Sequence, residues 1–217
     1  MDEGYWQARW REGRIGFHEG APNHWLVAHA AVLGITPERR RVLVPLCGKT
    51  VDLAFLAARG AEVVGVELVE SAARAFFEEA GLPVARTVDG PLVRLEAAGI
   101  EIVVGDFLAL GPSDVGRFDA FYDRAAIVAL PASLRERYAR ALVGLLADDA
   151  TGLVATFEHD ADDGAPPFSV PEAELRRLFP ELVLEPLGST PDTRPVWKER
   201  GASSAIERAF AARRAPR

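Results

Sequence analysis

The sequence predicts an α/β fold, a largely parallel sheet with helices on both faces. Three observations predict it. Between residues 41 and 180, short apolar runs alternate with stretches of helical periodicity. Four of those runs end in Cys47-Gly48, Glu67, Asp106-Phe107 and Asp123-Arg124, and a fifth, Leu153–Phe157, is followed by a polar loop. Ligands of such sheets bind beyond the carboxyl ends of the strands, where these residues fall. No linker, repeat or low-complexity tract interrupts the alternation. The expectation is therefore one domain over residues 1–217, with residues 1–40 as an N-terminal extension packed on it.

The elements follow in order. Residues 4–13 and 22–33 read as short amphipathic helices dense in aromatics: Tyr5, Trp6, Trp10, Phe17 and Trp25. Trp6 and Trp10 are spaced i,i+4 and share a helix face. The first strand lies near 41–45, a helix near 50–59, and the second strand near 62–67. The next helix is expected from Ser71, as its cap, to Ala80, with Gly81 closing it. Residues 84–96 suit a hairpin around Asp89-Gly90-Pro91. Ile100–Val104 and Phe118–Tyr122 are the third and fourth strands. Pro131 opens a helix over 131–146, with Leu134, Tyr138, Leu142 and Leu145 on one side. Leu153–Phe157 is the fifth strand, 171–179 a helix, and two antiparallel strands are expected near 182–187 and 203–211.

The first βαβ unit is the most informative passage. Its glycine turn at Gly48 precedes the acid Glu67 by 19 positions. That is the layout of a mononucleotide-binding half, with a ribose-holding carboxylate at the end of the second strand. Three ligands compete for it. A triphosphate loop needs a second glycine at position 43, which is Leu inside the first strand. A pyrophosphate needs several close-approach glycines, and this turn has one, behind Pro45, Leu46 and Cys47. S-adenosylmethionine carries no phosphate, so one glycine suffices. Glu67 would accept both ribose hydroxyls. Asp106 would accept the adenine amino group, with Phe107 packing on the ring. The N-terminal tryptophans would face the sulfonium cation.

Composition narrows the class. Acidic residues outnumber basic ones, 32 to 25, and the net charge of −7 argues against a nucleic-acid backbone as partner. No apolar run approaches the roughly 20 residues of a membrane helix. The N-terminus has no signal-peptide core. One cysteine excludes an internal disulfide framework. These points lead us to expect a cytoplasmic protein with no nucleic-acid or membrane partner.

The residues also carry a resemblance. WQARW at 6–10, EGRIGFHEG at 12–20, VLVPLCGKTVDLAFLA at 42–57 and VVGVELVE at 63–70 resemble the bacterial members of the thiopurine S-methyltransferase family. So do GDFLAL at 105–110, FYDRAAIVALP at 121–131, RERYA at 135–139 and GAPPFSV at 164–170. The resemblance implies a Rossmann-like class I methyltransferase: a mixed seven-stranded sheet of order 3-2-1-4-5-7-6, helices on both faces, and an N-terminal helical cover. It implies S-adenosyl-L-methionine as methyl donor, S-adenosyl-L-homocysteine as product, and no metal. Trp6 and Trp10 would lie over the methionine end, and Leu46 and Gly48 would contact the donor from the first turn. Glu67 would hold the ribose, and Asp106 and Phe107 would border the adenine. Arg124 would be the catalytic residue, lining the reaction site beside donor and acceptor. Phe17 would stack on a flat aromatic substrate, and Arg200 would stand on the substrate side. Position 108 is Leu where bacterial relatives often carry a second Phe.

The implied activity is S-methylation of small aromatic or heterocyclic thiols by a monomer, in detoxification. Alternatives are methylation of selenium or tellurium oxyanions, simple thiols or halide by the same donor, or non-catalytic binding of the donor. Arg124 would stabilise an incoming thiolate; its structural alternative is an ion pair with Asp123 or another carboxylate. Cys47, in a tight turn, reads as structural. His18, His24, His29 and His159 form no metal pattern. His159-Asp160 with Asp162-Asp163 fails the calcium-loop spacing, because position five is Gly164. The loop they occupy is placed to act as a lid.

Overall fold

A computed structural model describes residues 3–161 and 164–215. Its centre is a nine-stranded sheet (β1–β9) in the order β3-β4-β5-β2-β1-β6-β7-β9-β8. The strands are β1 Arg41–Pro45, β2 Glu62–Glu67, β3 Ala85–Asp89, β4 Leu92–Ala97, β5 Ile100–Val104, β6 Phe118–Arg124, β7 Leu146–His159, β8 Leu182–Pro191 and β9 Ala205–Arg214. The helices are α1 Glu3–Arg11, α2 His24–His29, α3 Asp52–Ala57, α4 Glu70–Glu79, α5 Pro112–Val115, α6 Ala132–Leu145, α7 Glu172–Leu178 and α8 Pro195–Glu199.

The expected seven-strand order is present as β5-β2-β1-β6-β7-β9-β8, but the number seven is corrected. The hairpin over 84–96 does not stand apart. β4 pairs antiparallel with β5, from Val93 opposite Val104 to Ala97 opposite Ile100, and carries β3 outward. Leu92 and Leu95 bury their side chains on the inner strand, which gives the hairpin a reason to dock. β1, β2, β5, β6 and β7 run parallel; β9 and β8 close the other side antiparallel.

Strand alternation sends neighbouring residues to opposite faces. Val42 and Val44 meet Leu53 and Leu56 of α3 and Phe76 and Phe77 of α4. Leu43, between them, faces Tyr138 and Leu142 of α6 and Leu175 of α7. α6 is built for this: Arg135, Tyr138, Ala139, Leu142 and Val143 are buried at i, i+3, i+4, i+7 and i+8. α4 differs from expectation at its start. Its cap position is Val69, without a side-chain cap bond, and Ser71 lies inside the helix. Val69 N–H is instead satisfied by Glu67 Oε1 at 2.8 Å. Gly81 ends the helix as expected, with Leu82 N–H donating to Phe77 O at 2.9 Å.

β7 is longer than the 153–157 expected. β8 and β9 likewise run past the expected 182–187 and 203–211. The short α5 and α8 carry too few turns for periodicity to announce them. Among the described residues, no helix is long and apolar enough to cross a membrane.

One close contact joins the sheet to the first turn. A Cβ on Gly65 in β2 would lie 2.7 Å from Cys47 Sγ. Cys47 is buried, and burial raises its thiol pKa well above the ordinary value, with the nearby Glu67 charge adding to the rise. It is a packing residue, as expected. Gly65→Ala is expected to overpack this point, costing on the order of 1–2 kcal/mol. A thermal melt checks it; an unchanged Tm would mean the turn has slack.

Candidate active site

A cavity of about 930 Å³ opens along the carboxyl ends of β1, β2, β5, β6 and β7. That is the upper end of the roughly 300–1,000 Å³ of small-molecule sites. Leu46, Gly48, Glu67, Asp106, Phe107 and Arg124 all border it. So do Trp6, Trp10, Phe17 and Arg200 from opposite ends of the chain.

The first turn is strained and closely covered. Leu46 sits at φ 48° and Gly48 at φ 55°, both left-handed. A Cβ on Gly48 would come within 3.1 Å of the Trp10 ring. Gly48 is therefore required twice, for its backbone angle and for the indole above it. Its N–H donates to Glu67 Oε2 at 2.8 Å. Glu67 thus spans the two ends of the βαβ unit, one oxygen on Gly48 N–H and the other on Val69 N–H. Burial raises its carboxyl pKa, and the backbone bonds from Val69, Gly48 and Leu68 oppose the rise. The carboxylate keeps acceptor capacity for a hydroxyl in the cavity.

Asp106 is exposed and caps the short turn after β5, with Oδ1 accepting from Leu108 N–H at 3.0 Å. Phe107 lies deeper than its expected role suggests. It is buried against Tyr138, ring centroids 5.2 Å apart. Leu108, half-buried, also borders the cavity.

The end of β6 splits two neighbours between the two faces. Asp123 turns toward α6. It accepts from Tyr138 Oη–H at 2.7 Å and Ile127 N–H at 3.2 Å, and burial lifts its carboxyl to about 6. Arg124 turns the other way, with Tyr122. Its ion-pair partner is Glu19, and its Nη1 donates to Phe17 O at 2.8 Å. An Asp123–Arg124 pair is excluded by this alternation. Tyr122 Oη–H donates to Asp52 Oδ2 at 3.0 Å, and Asn23 N–H donates to Oδ1 of the same carboxylate at 2.8 Å.

Aromatics form two walls. Phe17 stands edge-on to Trp6 and Trp10, with centroids at 6.0 and 5.6 Å. Across the cavity Phe157 packs on Trp197 at 5.6 Å. The Arg200 guanidinium lies 5.0 Å from the Trp197 ring and donates to the carbonyls of Ala165 and Pro167. His18 also borders the cavity. Burial lowers its pKa, and so does the Lys49 charge.

Sequence reasoning missed Glu19, Asp52, Asn23, Tyr122 and Tyr138. Asn23 and Asp52 carried a weak signal, since each opens a helix. Glu19 lies within the EGRIGFHEG stretch, but its partner, 105 positions away, gave it no readable role. In the acidic run after β7, Asp160 is tied to Ser203 and Ser204, whereas Asp162 and Asp163 lie outside the described residues. Among the described residues no group of three or more His, Cys, Asp or Glu side chains could hold a metal ion.

The cavity joins the glycine turn and buried acid of the first βαβ unit to an aromatic chamber, and known proteins resemble the chain as a whole. In solved structures, the 1,6-didemethyltoxoflavin-N1-methyltransferase of Burkholderia thailandensis, bound to S-adenosylhomocysteine, matches at 18% identity and TM-score 0.62. The match covers 98% of this chain and 86% of that one. At that identity the likeness speaks for the fold. Sequence relatives go further. The thiopurine S-methyltransferase of Pseudomonas syringae pv. tomato is 46% identical over 177 residues, covering 81% of this chain and 80% of its own length. That of Azotobacter vinelandii is 42% identical over 214 residues, covering 97% and 98%. The family profile described as thiopurine S-methyltransferase matches residues 1–210, so the turn, the acid and the aromatic cover fall within one continuous match, and the chain belongs to the thiopurine S-methyltransferase family.

Proposed function

We propose that this chain, acting as a cytoplasmic monomer, methylates the sulfur of small aromatic or heterocyclic thiols, with thiopurines as the reference class. It is an S-adenosylmethionine-dependent methyltransferase by family. The observation that carries the residue assignments is Glu67, a buried carboxylate bonded to Gly48 N–H beneath Trp10 at the cavity wall.

In this reading the whole chain works as one domain, and residues 1–40 cover the donor. Glu67 takes the ribose hydroxyls. Asp106 takes the adenine edge, with Phe107 and Leu108 forming the apolar border. Leu46 and Gly48 hold the middle of the donor through the first turn. Trp6 and Trp10 turn aromatic faces to the cationic sulfur. Bound there, S-adenosylmethionine supplies a methyl group on a positively charged sulfur. Phe17 stacks on the acceptor, opposite Phe157 and Trp197, with Arg200 at the rim. The aromatic walls exclude water from a reaction in which charge is neutralised, which favours the transition state over the separated, hydrated ions. Aromatic thiols ionise in part near neutral pH, so the chain needs no strong base. Arg124, already neutralised by Glu19, fixes the wall beside the acceptor sulfur rather than waiting as a bare cation.

A thermal-shift series tests the donor assignment. S-adenosylmethionine and S-adenosylhomocysteine are expected to raise Tm, as about 2.7 kcal/mol of added stability at 100 times Kd requires. NAD and ATP are expected to leave it unchanged. A response to NAD or ATP with none to the first two would overturn the reading. Methyl transfer scored over thiopurines, thiophenols, simple thiols, halide and oxidised selenium or tellurium species then tests the acceptor.

A further inference from the structure

Residues 12–22 form a strap between α1 and α2. Its own backbone bonds are local: Glu12, Gly13 and Arg14 N–H donate back to α1, and His18 N–H donates to Ile15. Beyond their chain neighbours, Gly16 and Gly20 have no described atom within 4 Å of where a side chain would begin. Among the described residues, two long-range hydrogen-bonded fastenings hold the strap to the body. One is Asp52, which accepts Asn23 N–H at its far end. The other is Arg124, which reaches in from β6 to the carbonyl of Phe17 and the carboxylate of Glu19.

The Arg124–Glu19 fastening is built unevenly. The Arg124 side chain is 9% exposed and Glu19 is 39% exposed. Glu19 does not border the main cavity. It stands behind the wall, in a smaller cavity of about 240 Å³ with His24, Arg194 and Glu207. Its carboxylate also lies 3.5 Å from Asn23 Nδ2, so it touches both fastenings.

We infer that Glu19 is a positioning residue for methyl transfer: its ion pair with Arg124 holds the Phe17 backbone, and so the aromatic wall, over the acceptor end of the cavity. This rests on the reading of the cavity given above. Without Glu19, Arg124 is a nearly buried cation without its ion-pair partner, and such a group does not stay where it is. Asp52 and Glu207 already feel its charge and would draw it away. Arg124 would then release the Phe17 carbonyl. The Phe17 ring, set against Trp6 and Trp10, would lose its registration, and ångström-scale misplacement of reactants is costly. The donor end keeps its own supports, Glu67 on Gly48 and Trp10 over Gly48.

The test is steady-state kinetics with thiophenol and S-adenosylmethionine, with S-adenosylhomocysteine affinity measured in parallel by calorimetry. Glu19→Ala is expected to raise the thiophenol KM at least tenfold while changing product affinity less than threefold. Glu19→Gln keeps the shape and an acceptor for Arg124 but not the charge, and is expected to recover part of the loss. A residue that only stabilises the fold would lower Tm and leave KM alone. A folded Glu19→Ala with KM within twofold of wild type overturns the inference. If that variant fails to fold, a wild-type KM in Glu19→Gln does the same. Wild-type protein that does not bind S-adenosylhomocysteine overturns the donor reading, and this inference with it.

Discussion

Glu67→Ala is expected to weaken S-adenosylhomocysteine binding well beyond tenfold. The carboxylate is buried, and its two oxygens are aimed by Gly48 N–H and Val69 N–H, both at 2.8 Å. A hydrogen bond to a charged group contributes about 1.5–3 kcal/mol, and two hydroxyls would be lost together. Because a tenfold change is about 1.4 kcal/mol, even one lost bond exceeds it. Calorimetry measures the affinity, and melting checks that the variant folds. Glu67→Gln separates the two roles of the side chain. It keeps one oxygen for the turn but cannot offer charge to the diol, so it should fold better than Glu67→Ala while binding weakly. Unchanged affinity in a folded Glu67→Ala would remove the ribose assignment.

The second large effect is on stability. Tyr138→Phe is expected to cost about 1.5–3 kcal/mol at pH 7.5, since it strips a hydrogen bond from a fully buried carboxylate. For a chain of this length that is a Tm drop of roughly 3–12 °C. The pH dependence gives the sign. The Asp123 carboxyl is raised to about 6 in the folded state from an ordinary 3.8. The folded protein therefore takes up this proton first. Its contribution to stability is complete below about pH 4 and is lost as pH rises through 6. The Tyr138 hydroxyl favours the charged form, so its removal should hurt less at pH 5 than at pH 7.5. Equal losses at both pH values would show that Asp123 does not titrate there.

Much of the framework is legible in the sequence because its causes are local. Gly48 and Glu67 could be paired from spacing alone, since a βαβ unit brings the ends of its two strands together whatever surrounds it. Gly81 marks a helix end because left-handed backbone suits glycine. The rest depends on which groups meet across the fold. Arg124 was recognisable as a site residue, but its partner was not. Strand alternation turns it away from Asp123, yet nothing in the chain singles out Glu19 from the other carboxylates. Phe107 borders the cavity, and its packing on Tyr138 is a contact set by where α6 docks. The hairpin was visible as a hairpin; that β4 would join β5 depended on an open edge in the finished sheet.

Both rims of this wide sheet are ill suited to further growth. β3, the outermost strand on one side, is five residues long and exposed throughout, with Arg86 drawn to Glu70 and Asp89 to Arg94. β8, outermost on the other, carries Pro186 and Pro191 and breaks its register between Pro186 and Gly188. Charge at one margin and missing amide donors at the other give a stray strand little to zip onto.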